Sequence, residues 1–159
     1  MKAATVTQLK KELKHKDEDE LLNICLRLSK FKKENKELLT YLLFESDYEP
    51  GYVTLIKESI DEQFETLNTR NYYWMKKSIR KILRETKKYI RYSGNKETEV
   101  QLLLYFCEKM HAVRPAIRNN NTLRNLYLRQ LEYIHKKIEA LHEDLHLDYY
   151  KRLRKAELK

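Results

Sequence analysis

A long amphipathic segment, residues 70–92, is the feature that most constrains the fold of this chain. Its apolar side chains recur at the i, i+4, i+7 and i+8 spacing that places them on one face of an α-helix. The positions on that face are Met75, Ile79, Ile82, Leu83, Thr86 and Ile90. Gly94 follows the segment, as expected for a residue that ends a helix in the left-handed conformation. A helix of this length needs other elements to cover its apolar face.

The rest of the chain also predicts helices. Only two Gly and two Pro occur among its 159 residues, so the chain lacks the turn residues that hairpins and parallel sheets need. Further amphipathic stretches follow one another with short polar or proline-containing breaks between them. We therefore expect an all-α fold of six or seven antiparallel helices, arranged as a bundle or as a short α-α superhelix. The length is typical of one domain, which would span residues 1–159.

A faint internal similarity is the reason to consider a superhelix. Residues 17–68 and 76–142 each contain a basic helix end, an Asn-Lys-Glu tripeptide and a proline that precedes a longer helix. These segments would be two copies of a three-helix unit, with a period of about 60 residues that is longer than that of common helical repeats.

The cysteines and the hydropathy of the chain indicate a reduced, cytoplasmic protein. Cys25 and Cys107 each lie in an apolar helical run, which predicts small buried side chains rather than a disulfide or a metal pair. No apolar run approaches the roughly 20 residues of a membrane helix, and the first residues lack the apolar core of a signal peptide. We therefore expect no transmembrane segment.

Charge is distributed unevenly along the chain. The formal net charge is +9, yet residues 45–69 carry −6 and residues 70–92 carry +8. The acidic segment predicts a helix at 52–68, and only a short break separates it from the basic helix. The two helices should therefore form an antiparallel hairpin.

The basic helix has three interpretations. Its cations form a solvated face that the carboxylates of the 52–68 helix neutralise, or they gather the phosphates of a nucleic acid. Alternatively they bind an acidic protein or anionic lipid headgroups. The candidate contacts for an anionic partner are Lys76, Lys77, Arg80, Lys81, Arg84, Lys87, Lys88 and Arg91.

Aromatic residues at the start of the basic helix offer a second type of contact. Tyr72, Tyr73 and Trp74 could stack on bases, although consecutive helical residues point about 100° apart and at least one of the three belongs in the core. Basic residues elsewhere would extend the surface: Arg114, Arg118, Arg124 and the 151–155 cluster.

A metal-dependent helical-bundle enzyme is an alternative, because di-metal sites use Glu-x-x-His pairs. That spacing occurs at Glu108/His111, Glu132/His135, Glu139/His142 and Glu143/His146. The pairs are far apart along their helices and lie off the apolar stripe, so we predict no metal site. The chain contains no Gly-rich phosphate loop, nucleophile elbow or Cys-x-x-Cys, and we predict neither catalytic residues nor a cofactor.

A structural homo-oligomer is the remaining alternative, through the 127–145 helix. Its apolar residues follow the 3.5-residue repeat of a coiled-coil seam. They are Tyr127, Leu131, Ile134, Ile138, Leu141 and Leu145.

The N-terminal part of the chain resembles a group of known proteins. LKKELK at 9–14, ELL at 20–22 and KENKELLTYLL at 33–43 resemble small, all-helical, uncharacterised bacterial proteins of unknown function. The resemblance covers residues 1–45, carries no site residues, and implies a bacterial, cytoplasmic protein. The residues themselves favour a non-enzymatic binding or scaffold module whose cationic helix face contacts an anionic partner.

Overall fold

The computed structural model describes residues 1–158, and this part of the chain is all-helical. It contains eight α-helices, a π-helical turn and a 3₁₀ turn, without any strand. The all-α prediction is confirmed, whereas the predicted number of six or seven helices is wrong. Among residues 1–158, no helix combines the length and the hydropathy that crossing a membrane requires. The chain separates into two compact units, residues 1–44 and residues 45–159.

The first unit contains three helices. They are α1 (Val6–Leu13), α2 (Glu18–Phe31) and α3 (Lys33–Thr40), and the π-helical turn Tyr41–Glu45 follows them. Asp17 caps α2 and forms a capping box with Glu20, because each side chain accepts a backbone N–H from the other residue. Only Ser29 and Tyr41 are buried between residues 1 and 44. The α2–α3 hairpin therefore leaves most of its apolar side chains exposed.

The second unit is a helical bundle of five helices. They are α4 (Glu49–Glu65), α5 (Tyr72–Ser93), α6 (Lys96–Ala112), α7 (Asn121–Glu139) and α8 (Glu143–Lys155), with the 3₁₀ turn Ile117–Asn119 before α7. Hydrogen bonds show that α4 and α5 run antiparallel, as do α7 and α8. The Tyr52 hydroxyl at the start of α4 donates to the Tyr89 carbonyl near the end of α5, at 2.9 Å. The Tyr127 hydroxyl, near the start of α7, donates to the carbonyl of Ala156, which caps the end of α8.

Helix α6 is the centre of this bundle, because it packs against α4, α5 and α7. It is buried on almost every side, as expected for a helix without a strongly polar face. Its buried residues are Thr98, Val100, Leu102, Leu103, Leu104, Phe106, Cys107 and Met110. Burial raises the pKa of the Cys107 thiol, so this cysteine is an inert apolar side chain, as predicted. Cys25 on α2 is exposed, and the prediction that it is buried is wrong because the first unit covers little of α2.

The additional helix arises from a break between α7 and α8. The chain leaves the helix at Ala140, and α8 begins after His142, whose Nδ1 accepts the Asp144 N–H at 3.3 Å. Acidic residues in the first turn of α8 complement the partial positive charge of a helix N-terminus. The sequence predicted one uninterrupted helix over 127–145, which this break divides. Histidine is not among the preferred N-cap residues, so this start was not recognised.

The predicted internal repeat is not matched by the structure. Its first half, 17–68, is divided between the two units, whereas its second half, 76–142, lies within the bundle. The similarity therefore reflects the shared composition of amphipathic helices and not equivalent packing. The prediction of one domain over 1–159 stays a prediction.

The apolar seam of α7 is used within the bundle. Tyr127, Leu131, Ile134 and Ile138 are all buried in the core of the second unit. These four side chains are covered without a second chain, whereas Leu141 and Leu145 of the predicted seam lie beyond the end of α7 and are half-buried. Pairing of two chains through this seam stays a prediction.

Candidate anion-binding surface

Helix α5 has the apolar face that its sequence predicts. The side chains that the structure buries on α5 are Met75, Ile79, Ile82, Leu83, Thr86 and Ile90. Asn71 caps the helix by accepting the Trp74 N–H at 3.1 Å, and Gly94 ends it with a φ of 64°. Because this face packs into the bundle, the opposite side of α5 is directed to solvent.

Four basic side chains form a line along this solvent-facing side. Lys77, Arg80, Arg84 and Arg91 are all exposed. Their spacing places them within roughly 60° of one another around the helix axis. At a rise of 1.5 Å per residue, the line from Lys77 to Arg91 is about 21 Å long. We call these four residues the cationic ridge.

The ridge is not neutralised by direct ion pairs. Among residues 1–158, no ion pair joins any of its four side chains to a carboxylate. The acidic helix α4 directs Asp61 toward α6, where the Lys109 ammonium lies 2.6 Å away and the Tyr105 hydroxyl donates at 2.7 Å. The other acidic residues in the second half of α4, which are Glu58, Glu62 and Glu65, are exposed.

The ionisation of Asp61 is determined by these contacts with α6. Burial acts to raise the pKa of Asp61, but hydrogen bonds from Lys109 and Tyr105 outweigh burial and hold this pKa below its ordinary value. The hydrogen bond to Asp61 raises the pKa of Lys109 in turn. The pair is therefore charged at neutral pH, and Asp61 has its partners on α6 rather than on α5.

The other predicted cations of α5 lie at the edges of the ridge. Lys81 and Lys87 are exposed, and the Lys87 ammonium lies 5.6 Å from the centre of the Tyr133 ring on α7. Lys76 and Lys88 are half-buried. These four residues add positive potential beside the ridge without extending its line.

The three aromatic residues at the start of α5 divide into two groups. Tyr72 is half-buried, and its hydroxyl donates to the Ala116 carbonyl at 3.0 Å, so it has a structural role. Tyr73 and Trp74 are 63% and 42% exposed, and their rings meet edge to face at 5.1 Å. Tyr73 lies one turn before Lys77, in line with the ridge. At the start of α5, accessible aromatic surface is therefore limited to Tyr73 and Trp74.

A second group of cations lies at a cleft of about 540 Å³ in the bundle. Arg114 and Arg118, before α7, line this cleft together with Lys155 at the end of α8. Glu108 and Glu157 also line the cleft, and Arg152 donates to Glu108 at 2.9 and 3.0 Å. The sequence predicted these basic residues as separate extensions of the surface. Arg114 and Arg118 meet Lys155 because α8 packs back along the bundle, and no local sequence signal indicates this arrangement.

Three histidines of the Glu-x-x-His pairs contact groups within a few residues of their own position. His135 Nδ1 lies 3.5 Å from Glu139, His142 caps α8, and His146 Nε2 lies 2.9 Å from the Leu141 carbonyl oxygen. Within the described residues, no three His, Cys, Asp or Glu side chains are grouped so that they could hold a metal ion.

Comparison of the chain with protein-family models, with curated proteins and with solved structures finds no match in any of the three. The resemblance of residues 1–45 to small bacterial proteins therefore stays a prediction.

Proposed function

We propose that this chain is a non-enzymatic binding module whose cationic ridge docks a partner that carries a row of negative charges. The observation that supports this is the exposure of Lys77, Arg80, Arg84 and Arg91 along one line, without a paired carboxylate among the described residues. Unpaired cations in a row create a positive potential that attracts a polyanion and releases its counterions. Because a packed helix holds the ridge, little backbone ordering is needed on binding.

Nucleic acid is the partner class that these residues fit best. From Tyr73 to Arg91 the helix is about 27 Å long, which equals the rise of about eight phosphates of one strand along the axis of a duplex, at about 3.4 Å each. The exposed rings of Tyr73 and Trp74 at one end of the ridge provide surfaces on which unpaired bases stack. An acidic protein surface is the second candidate, since it supplies the negative charge but makes no use of the aromatic pair.

A binding experiment with charge-matched variants tests the proposal. The ridge variant K77Q/R80Q/R84Q/R91Q and the control K2Q/K10Q/K11Q/K14Q each lose the same charge, and the control lysines are all exposed in the first unit. Fluorescence anisotropy with a labelled single-stranded oligonucleotide is expected to show weak binding by the ridge variant only. Equal losses in both variants, or wild-type binding by the ridge variant, would contradict the proposal.

A second probe separates the two partner classes. A labelled poly-glutamate peptide supplies negative charge without bases. The variant Y73A/W74A is expected to bind the oligonucleotide less tightly than the wild type and to bind poly-glutamate equally well. Tight binding to poly-glutamate, combined with no effect of Y73A/W74A on the oligonucleotide, would favour an acidic protein partner.

A further inference from the structure

Helix α2 in the first unit has an apolar stripe that residues 1–44 do not cover. Leu22 and Leu26 are 56% and 42% exposed. Asp19 and Lys30 lie on the same face, because the four residues are spaced by three, four and four positions. Since the hairpin buries almost none of its own apolar side chains, α2 needs another surface to stabilise it.

Opposite charges lie at the two ends of this stripe. Asp19 is at its N-terminal end and Lys30 at its C-terminal end, and both are exposed. Neither is in an ion pair within the part of the chain that the structure describes. At 1.5 Å per residue they are about 16 Å apart along the axis, too far to pair with each other.

The stripe is complementary to itself when two copies run antiparallel. That arrangement places Asp19 opposite the partner's Lys30 and Leu22 opposite the partner's Leu26. The first pairing is centred between residues 24 and 25 and the second at residue 24, less than about 1 Å away along the axis, so a single two-fold axis brings both pairs within reach of their side chains. A parallel arrangement would instead place like charges side by side, which is destabilising.

We infer that the first unit is a dimerisation element, in which α2 pairs antiparallel with α2 of a second copy of this chain. Leu22 and Leu26 form the apolar centre of the seam, and Asp19 and Lys30 form an ion pair at each end. Two hairpins joined in this way bury apolar surface that one hairpin leaves in water. This seam is different from that of α7, whose apolar side chains are already buried in the bundle.

Sedimentation velocity of the full chain over a concentration series tests the seam. The wild type is expected to convert from monomer to dimer, and L22E/L26E is expected to remain monomeric. The control is L28E, a single substitution of the same type, because Leu28 is 54% exposed and lies on the opposite side of α2. Circular dichroism verifies that each variant keeps its helix content. A monomeric wild type, or an L28E variant that dissociates as L22E/L26E does, would overturn the inference.

A charge exchange tests the antiparallel direction. By symmetry, Asp19→Lys makes both end pairs repulsive, and so does Lys30→Asp. Each single variant is expected to weaken dimerisation about tenfold. The double variant D19K/K30D restores opposite charges and is expected to dimerise within about threefold of the wild type. Single variants that dimerise like the wild type, or a double variant weaker than either single one, would contradict antiparallel pairing.

Discussion

Neutralising the cationic ridge is expected to remove a defined part of the salt dependence of DNA binding. For duplex DNA, the logarithm of the association constant falls with the logarithm of the salt concentration, with a slope of about −0.9 per neutralised phosphate. The ridge consists of four exposed cations along one line. With one phosphate for each cation, the variant K77Q/R80Q/R84Q/R91Q has a slope that is shallower by about 3.6.

This difference in slope is large enough to measure. When the salt concentration rises from about 50 to about 200 mM, the affinity of the wild type is expected to fall about 150 times more than the affinity of the ridge variant. For single-stranded DNA the slope is about −0.7 per phosphate. The expected difference is then about 2.8, which corresponds to a factor of about 50 over the same range of salt.

The assay is a series of anisotropy titrations at several salt concentrations. The variant K2Q/K10Q/K11Q/K14Q serves as the control, because it removes the same charge from exposed positions in the first unit. Its slope is expected to equal that of the wild type. The reasoning is refuted if the ridge variant keeps the wild-type slope, or if both variants become shallower by the same amount.

Three further predictions concern single residues. Trp74 is the only tryptophan, so a single-stranded oligonucleotide that stacks on it is expected to quench the emission of the chain; unchanged emission at saturation would contradict this contact. Phe106→Ala is expected to lower the free energy of unfolding in urea by about 3–5 kcal/mol, because the side chain is fully buried. The control is the exposed Phe44, because Phe44→Ala is expected to change the free energy of unfolding by less than about 0.5 kcal/mol. Equal losses of unfolding free energy in the two variants would contradict the packing of α6. Asp61→Asn is expected to lower the free energy of unfolding by about 0.5–1 kcal/mol at neutral pH. This value allows for solvent screening of the ion pair between Asp61 and Lys109. Because the pKa of Asp61 is lower in the folded state, its stabilisation is present above the unfolded pKa and is lost as the pH falls through the folded pKa. The free energies of unfolding of Asp61→Asn and the wild type, measured in urea melts, should therefore differ less at about pH 3 than at about pH 7. A difference that stays constant with pH would contradict the ion pair.

The sequence by itself determined the local structure of the helices. The spacing of Met75, Ile79 and Ile82 predicted which side of α5 is buried, because residues three and four positions apart share one face of a helix. Gly94 marked the end of α5, since a residue that tolerates positive φ satisfies the backbone requirements of a helix end within a few residues. Each of these features depends on neighbours in the chain.

Only the tertiary structure decided which surfaces meet. Asp61 pairs with Lys109 on α6 rather than with the basic helix next to it in sequence, and α6 rather than α5 is the centre of the bundle. Cys25 is exposed although its surroundings in sequence resemble those of the buried Cys107. The physical reason is that hydrophobic burial has no direction. A leucine-rich face is compatible with many partners, and periodicity shows that a face needs covering but not which helix covers it.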